Sequence, residues 1–212
     1  MVISYMGAEA FKIQFGDITL AYNPPSKDSD FKSASFGSDI VLVSTNHADM
    51  NGIENASRGD KAPFVINGPG EYEIKGVFVH GLPSTSNYDG KERLNTIYTV
   101  SLENMNLCFL GALGTTELKT EVKQELEEID ILFVPIGGNG MLSPSEAYKF
   151  AVSLAPKIIV PMHYSIDGKD KNLETFLKEA GGNTPEKHDK LTIKKKDLEG
   201  REGDVFVINP SL

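Results

Sequence analysis

Two short stretches carry residues that could do chemistry. Ser44-Thr45-Asn46-His47-Ala48-Asp49-Met50 follows the apolar run Ile40-Val41-Leu42-Val43, and Pro161-Met162-His163-Tyr164 follows Ile158-Ile159-Val160. Side chains that emerge straight after a buried strand sit at a sheet edge, where a rigid scaffold can hold binding or catalytic groups. His47 and Asp49 are two residues apart, so a turn leaving the strand can bring an imidazole and a carboxylate to one point. A pair of that kind could contribute to a metal site. The same residues equally suit a bland arrangement, a histidine hydrogen-bonded to a neighbouring carboxylate and a core histidine with satisfied nitrogens. Residue chemistry alone leaves these readings open. A third stretch, Gly111-Ala112-Leu113-Gly114, has turn character and no ionisable group. His80 shares a strand face with Phe78 and is expected to be structural or on the surface, and His188, between Lys187 and Asp189, to be exposed. Gly137-Gly138-Asn139-Gly140 lacks the Lys-Ser/Thr of a phosphate loop and reads as a plain loop.

The elements that must position these residues follow from hydrophobic period. Residues 11–15 alternate strictly, and Gly16-Asp17 turns them into residues 18–22 as a hairpin. Residues 40–43, 64–66, 77–79, 97–100 and 107–110 read as further strands. The second half alternates: a helix predicted over 117–129 from Leu118, Val122 and Leu126, a buried strand at 131–134, then a helix opened by the capping box Ser143-Pro144-Ser145-Glu146 and stopped before Pro156. A strand at 158–160, a helix from Asn172 to Gly181-Gly182 and strands at 191–193 and 205–208 close the chain. No repeat or linker divides it, so one domain over residues 1–212 is expected, of the α/β or α+β class with two packed sheets covered by helices.

Composition limits the function classes. The chain has 212 residues and only four histidines, His47, His80, His163 and His188, which excludes a site of many imidazoles. Thirty acidic against 21 basic residues give a net charge of −9, which disfavours nucleic-acid binding by bulk attraction. The one basic cluster, Lys194-Lys195-Lys196, lies near Glu199, Glu202 and Asp204 and reads as a solvated surface. No apolar run reaches transmembrane length, the N-terminal stretch lacks signal-peptide features, and one cysteine, Cys108, cannot form an internal disulfide. A cytoplasmic setting without membrane association is the expectation.

The order of the motifs resembles the metallo-β-lactamase superfamily, and within it a short branch of metal-dependent hydrolases related to lactonases. The likeness is carried by Tyr5-Met6-Gly7-Ala8-Glu9-Ala10-Phe11, Tyr22-Asn23-Pro24 (where the family usually has Asp-Pro), Gly68-Pro69-Gly70-Glu71-Tyr72-Glu73, Asn95-Thr96-Ile97-Tyr98, Val134-Pro135-Ile136-Gly137-Gly138 and Val160-Pro161-Met162-His163-Tyr164. It implies an αββα four-layer sandwich of two mixed sheets. The family holds two metal ions with a His-x-His-x-Asp-His motif, a further histidine, a bridging aspartate and a final histidine. By this resemblance His47, Asp49 and His163 are metal-ligand positions that keep their residues. Thr45, Met50, Ser86 and Ala112 stand at positions that have lost theirs. Ala112 has no donor atom, Met50 only a soft thioether, and Thr45 and Ser86 neutral hydroxyls. The expectation is a degenerate binding or scaffold protein without a cofactor, its partner a small molecule or a protein, with a homo-oligomer among the expected states. The alternative is a hydrolase of an ester, lactone or phosphodiester with one zinc or manganese ion on His47, Asp49 and His163.

Overall fold

The computed structural model describes residues 1–32, 34–59, 62–165, 170–182 and 186–211. In chain order, β1 (Val2–Gly7), β2 (Ala10–Phe15) and β3 (Ile18–Tyr22) form an antiparallel meander, followed by β4 (Ile40–Leu42) and β5 (Phe64–Ile66). A second meander comprises β6 (Gly70–Ile74), β7 (Val77–Ser86), β8 (Arg93–Leu102) and β9 (Met105–Phe109). The chain then alternates through α1 (Thr120–Gln124), β10 (Ile131–Pro135), α2 (Pro144–Ser153), β11 (Ile158–Met162) and α3 (Asn172–Glu179). Short strands β12 (Lys187–His188), β13 (Leu191–Thr192), β14 (Asp204–Val205) and β15 (Val207–Ile208) end it.

Among the described residues the strands form two mixed sheets, ordered β13-β1-β2-β3-β4-β5 and β14-β11-β10-β9-β8-β7-β6, with β12 and β15 as a separate pair. They are the two inner layers of an α/β sandwich. Aromatic rings fill the space between them: Phe109 of β9 stacks on Tyr22 of β3 at 4.2 Å, and Phe133 of β10 meets Phe11 of β2 edge-on at 4.7 Å. Helix α2 packs on β10 and α3, burying Ala147, Phe150 and Ala151 under the Ser143–Glu146 capping box. The other sheet has a thinner cover, a 3-10 turn at Ile53–Ala56 whose Ile53 packs with Phe36 on Val41 and Val43. No helix of the described residues is long and apolar enough to cross a membrane.

Several sequence expectations are corrected here. The helix predicted over 117–129 shrinks to the five residues of α1, because Glu125, Glu127 and Glu128 load its C-terminal end with charge opposed to the helix dipole. Val122 and Leu126 are buried all the same, the latter from a tight turn. The strand expected at 205–208 splits, Val205 pairing with β11 and Val207 with β12. His188 is half-buried rather than exposed, its ring stacked on Phe206 at 4.5 Å. Lys195 is not merely solvated: its Nζ lies 2.7 Å from Oδ2 of the buried Asp130, whose Oδ1 takes Lys157 at 2.7 Å. The Asn106 amide also donates to Asp130 Oδ2, so one carboxylate ties the starts of β9 and β11 to the C-terminal segment.

Burial by itself would raise the pKa of Asp130, but the two lysines and the amide together hold it below the ordinary carboxylate range. A depressed folded-state value stabilises the fold above the unfolded value of about 3.9, and that contribution fades as pH falls through the lower folded value. Asp130→Asn is therefore expected to lower stability by about 2–3 kcal/mol at neutral pH. Urea midpoints at pH 7 and pH 3 check it; an equal deficit at both would contradict the assignment.

Candidate functional site

The two stretches with chemistry, after β4 and β11, meet the turn after β9 and the Ser86–Gly90 segment after β7 around Tyr88. His47 and Asp49 lie on the turn after β4. The Asp49 amide donates to His47 Nδ1 at 3.2 Å, and Asp49 Oδ2 lies 3.4 Å from the same nitrogen. Both Asp49 oxygens are already taken: Oδ1 accepts from the Ser29 hydroxyl at 2.5 Å and Oδ2 from the Tyr88 hydroxyl at 2.8 Å.

Tyr88 is the organising residue, and the sequence reading passed over it. Its ring lies between the two imidazoles, 4.9 Å from the ring of His47 and 5.2 Å from that of His163, edge-on to both. Burial first, then the hydrogen bond to Asp49 and the charges of Asp49, Glu9 and Asp89, push its hydroxyl pKa upward, so it remains a donor. The short turn carrying it, Tyr88–Gly90, is held in place by Gly140, where any Cβ would overlap the Asn87 carbonyl.

Each of the four altered positions has a structural partner. Met50 and Ala112 are fully buried and form one apolar cluster with Tyr88 and Met141. Ser86 accepts a hydrogen bond from the Tyr88 amide at 3.1 Å. Thr45 donates to Asn95 Oδ1 at 3.0 Å, while the amide nitrogen of Asn95 donates to Ser84 and to the Leu110 carbonyl.

His163 is held apart from the other two residues. Of the bland arrangement, His47 does bond to Asp49, though to its backbone amide rather than its carboxylate, and the expectation that the nitrogens of His163 are satisfied is not met. His163 Nδ1 faces Glu9 Oε1 at 3.4 Å, too far out of line to count as a hydrogen bond, and both atoms are buried without another partner. Glu9 is fully buried, and its Oε2 accepts from Asn23 Nδ2 at 2.8 Å. Asn23, which by the resemblance stands where the family usually has an aspartate, thus lies one hydrogen bond from the carboxylate of Glu9. The only sequence signal for Glu9 was one charge inside the otherwise apolar stretch of residues 5–11. His163 also adopts a left-handed backbone, φ +60°, fixed by its amide donating to Ala8 O at 2.7 Å. Room for its ring depends on Gly137, whose Cβ would lie 2.8 Å from His163 Cδ2.

The donor set decides whether the family's two metal ions fit. Among the described residues no three His, Cys, Asp or Glu side chains are gathered so as to hold a metal ion. Asp49 already accepts from two hydroxyls and His47 Nδ1 from an amide, and the residue that the resemblance puts at the bridging position, Ala112, lies in an apolar cluster. This donor set does not fit the two-metal centre, and no chemistry through such a centre is derived below. Beside His163 and Tyr88 lies an open cavity of about 760 Å³, with Phe31, Lys32 and Asp30 on its rim.

Comparison with known proteins agrees with this fold. Residues 2–163 match the model of the β-lactamase superfamily domain. A metal-dependent hydrolase from Lysinibacillus sphaericus is 30% identical over 198 residues, covering 78% of this chain and 86% of that protein. A structure from Thermotoga maritima, described as a Zn-dependent hydrolase of the metallo-β-lactamase superfamily, superposes with a TM-score of 0.75 at 27% identity over 98% of this chain and 99% of that one. A metallo hydrolase from Ignicoccus hospitalis, at 20% identity and a TM-score of 0.63 over 100% of this chain and 96% of that one, shares the fold.

Proposed function

We propose, from the premise that this chain belongs to the metallo-β-lactamase superfamily, that it is a member whose two-metal centre has been replaced by a packed tyrosine, and that it works as a binding or scaffold protein. The observation that carries this reading is the Tyr88 ring seated between His47 and His163, its hydroxyl bonded to Asp49. A metal drawing on these three residues would have to compete with that ring for the space beside both imidazoles. The partner is a small molecule or a protein, reached through the cavity beside His163, and no nucleic acid is expected with a net charge of −9.

A second reading is favoured by the relatives' description as metal-dependent hydrolases: one zinc or manganese ion on His47, Asp49 and His163, hydrolysing an ester, lactone or phosphodiester. Metal analysis of protein purified without chelator separates the two. Substoichiometric zinc, manganese and iron, with no hydrolysis on ester, lactone and phosphodiester panels after zinc or manganese is added, is the expected result. A stoichiometric metal that persists through dialysis would overturn it.

A further inference from the structure

Three properties of the cavity beside His163 indicate what it holds. It is walled by aromatic rings: Tyr88 and Tyr164 line it, and Phe31, still 40% exposed, stands edge-on to His163 at 5.6 Å. The hydroxyls of Tyr88 and Tyr164 are already committed, to Asp49 and to the Ile208 carbonyl, so these residues offer the cavity ring surface rather than hydrogen bonds.

The surroundings are also acidic. Asp30 and Asp170 line the cavity, Glu9 touches His163 from behind and Asp49 touches Tyr88 from behind. Among the described residues the permanent cations that line the cavity or touch its lining are Lys32, whose Nζ donates to the Ser29 carbonyl, and Arg93, whose guanidinium donates to the Tyr88 carbonyl, against the four carboxylates. Finally, Glu9 is wholly buried, and its Oε1 has no hydrogen-bond donor. Its charge is therefore weakly screened, directly behind the cavity wall.

Aromatic faces in surroundings where carboxylates outnumber permanent cations favour a cation that carries its charge on an apolar surface. We propose that this cavity binds an organic ammonium ion, with the rings of Phe31 and Tyr88 as walls and the surrounding carboxylates as counter-charge. The inference deepens the proposed function and rests on its metal-free site. A volume of about 760 Å³ admits a small or medium-sized ammonium ligand.

The test compares choline with 3,3-dimethyl-1-butanol, a neutral molecule of nearly the same shape, and with acetate. The chain contains no Trp, so near-UV circular dichroism reports on its tyrosines, Tyr88 and Tyr164 among them, and thermal unfolding gives a second readout. Choline is expected to raise the melting midpoint and change the tyrosine signal saturably, the neutral alcohol and acetate to do neither. Phe31→Ala, at a part-exposed position, is expected to leave the unliganded midpoint nearly unchanged and to weaken choline binding about 2–30-fold. Equal effects of choline and the neutral alcohol, binding of acetate alone, no response to choline, or undiminished binding by Phe31→Ala would each overturn the proposal. Metal analysis of the same preparation keeps the two failures apart. A metal-free protein that ignores choline removes only this inference, whereas stoichiometric metal removes the reading beneath it.

Discussion

Ala112→Asp, which restores the family's bridging carboxylate, is expected to destabilise the chain by about 3–5 kcal/mol. Ala112 is fully buried among Met50, Tyr88 and Met141, so the new carboxylate meets two thioethers and a ring. The one hydroxyl in that cluster, on Tyr88, already donates to Asp49, whose own charge adds repulsion. In a metal-holding relative the same carboxylate would be compensated by cations, and removing it would be the damaging change. Urea unfolding with and without zinc checks the prediction. A loss under about 1 kcal/mol, or recovery of the single variant by zinc, would mean that the cluster is not the closed apolar plug described here.

The converse experiment follows from the same packing. Thr45→His, Met50→His, Ser86→His and Ala112→Asp together return the family's ligand types but leave the Tyr88 ring between His47 and His163. Zinc is expected to raise the unfolding midpoint only after Tyr88→Ala is added, because a ligand stabilises in proportion to its preference for the folded state and the ring denies it a place. Zinc-dependent stabilisation of the unaltered chain would sink this prediction.

Much of the scaffold was legible because strands announce themselves by local pattern. The apolar runs at 40–43, 131–134 and 158–160 are strands buried on both faces, and the alternation at 11–15 and 18–22 is the β2–β3 hairpin. The capping box at Ser143 opens α2 as expected. Local pattern fails where competing local terms are nearly balanced, as in α1, where apolar spacing argues for a long helix and clustered glutamates against it. The altered ligand positions could be named from motif order, but what replaced them could not. Tyr88 acts through contacts with residues near 47, 112, 141 and 163, and nothing in the stretch from Ser86 to Gly90 announces those partners. Glu9 is hidden in the same way, since its role comes from Asn23 and His163, which belong to other parts of the fold.

That Glu9–His163 contact gives the second large effect. His163→Ala is expected to cost about 3 kcal/mol, because it removes the imidazole that faces Oε1 of a fully buried carboxylate whose single hydrogen-bond donor is Asn23 Nδ2. Two contributions have to be separated. The left-handed backbone at His163 suits Ala poorly, whereas Gly accepts φ near +60° without strain, so His163→Gly measures how much of the loss is conformational. The electrostatic part is isolated by Glu9→Gln, which removes the charge yet can still accept from Asn23. If the buried charge is what His163 compensates, Glu9→Gln combined with His163→Ala should be more stable than His163→Ala alone, with a coupling of about 1–3 kcal/mol. Strictly additive losses would show that Glu9 does not depend on the imidazole. The residual acidity invoked for the ammonium site would then have to come from Asp30, Asp49 and Asp170. A strong coupling instead makes Glu9 and His163 one buried unit in the wall of the cavity beside Tyr88.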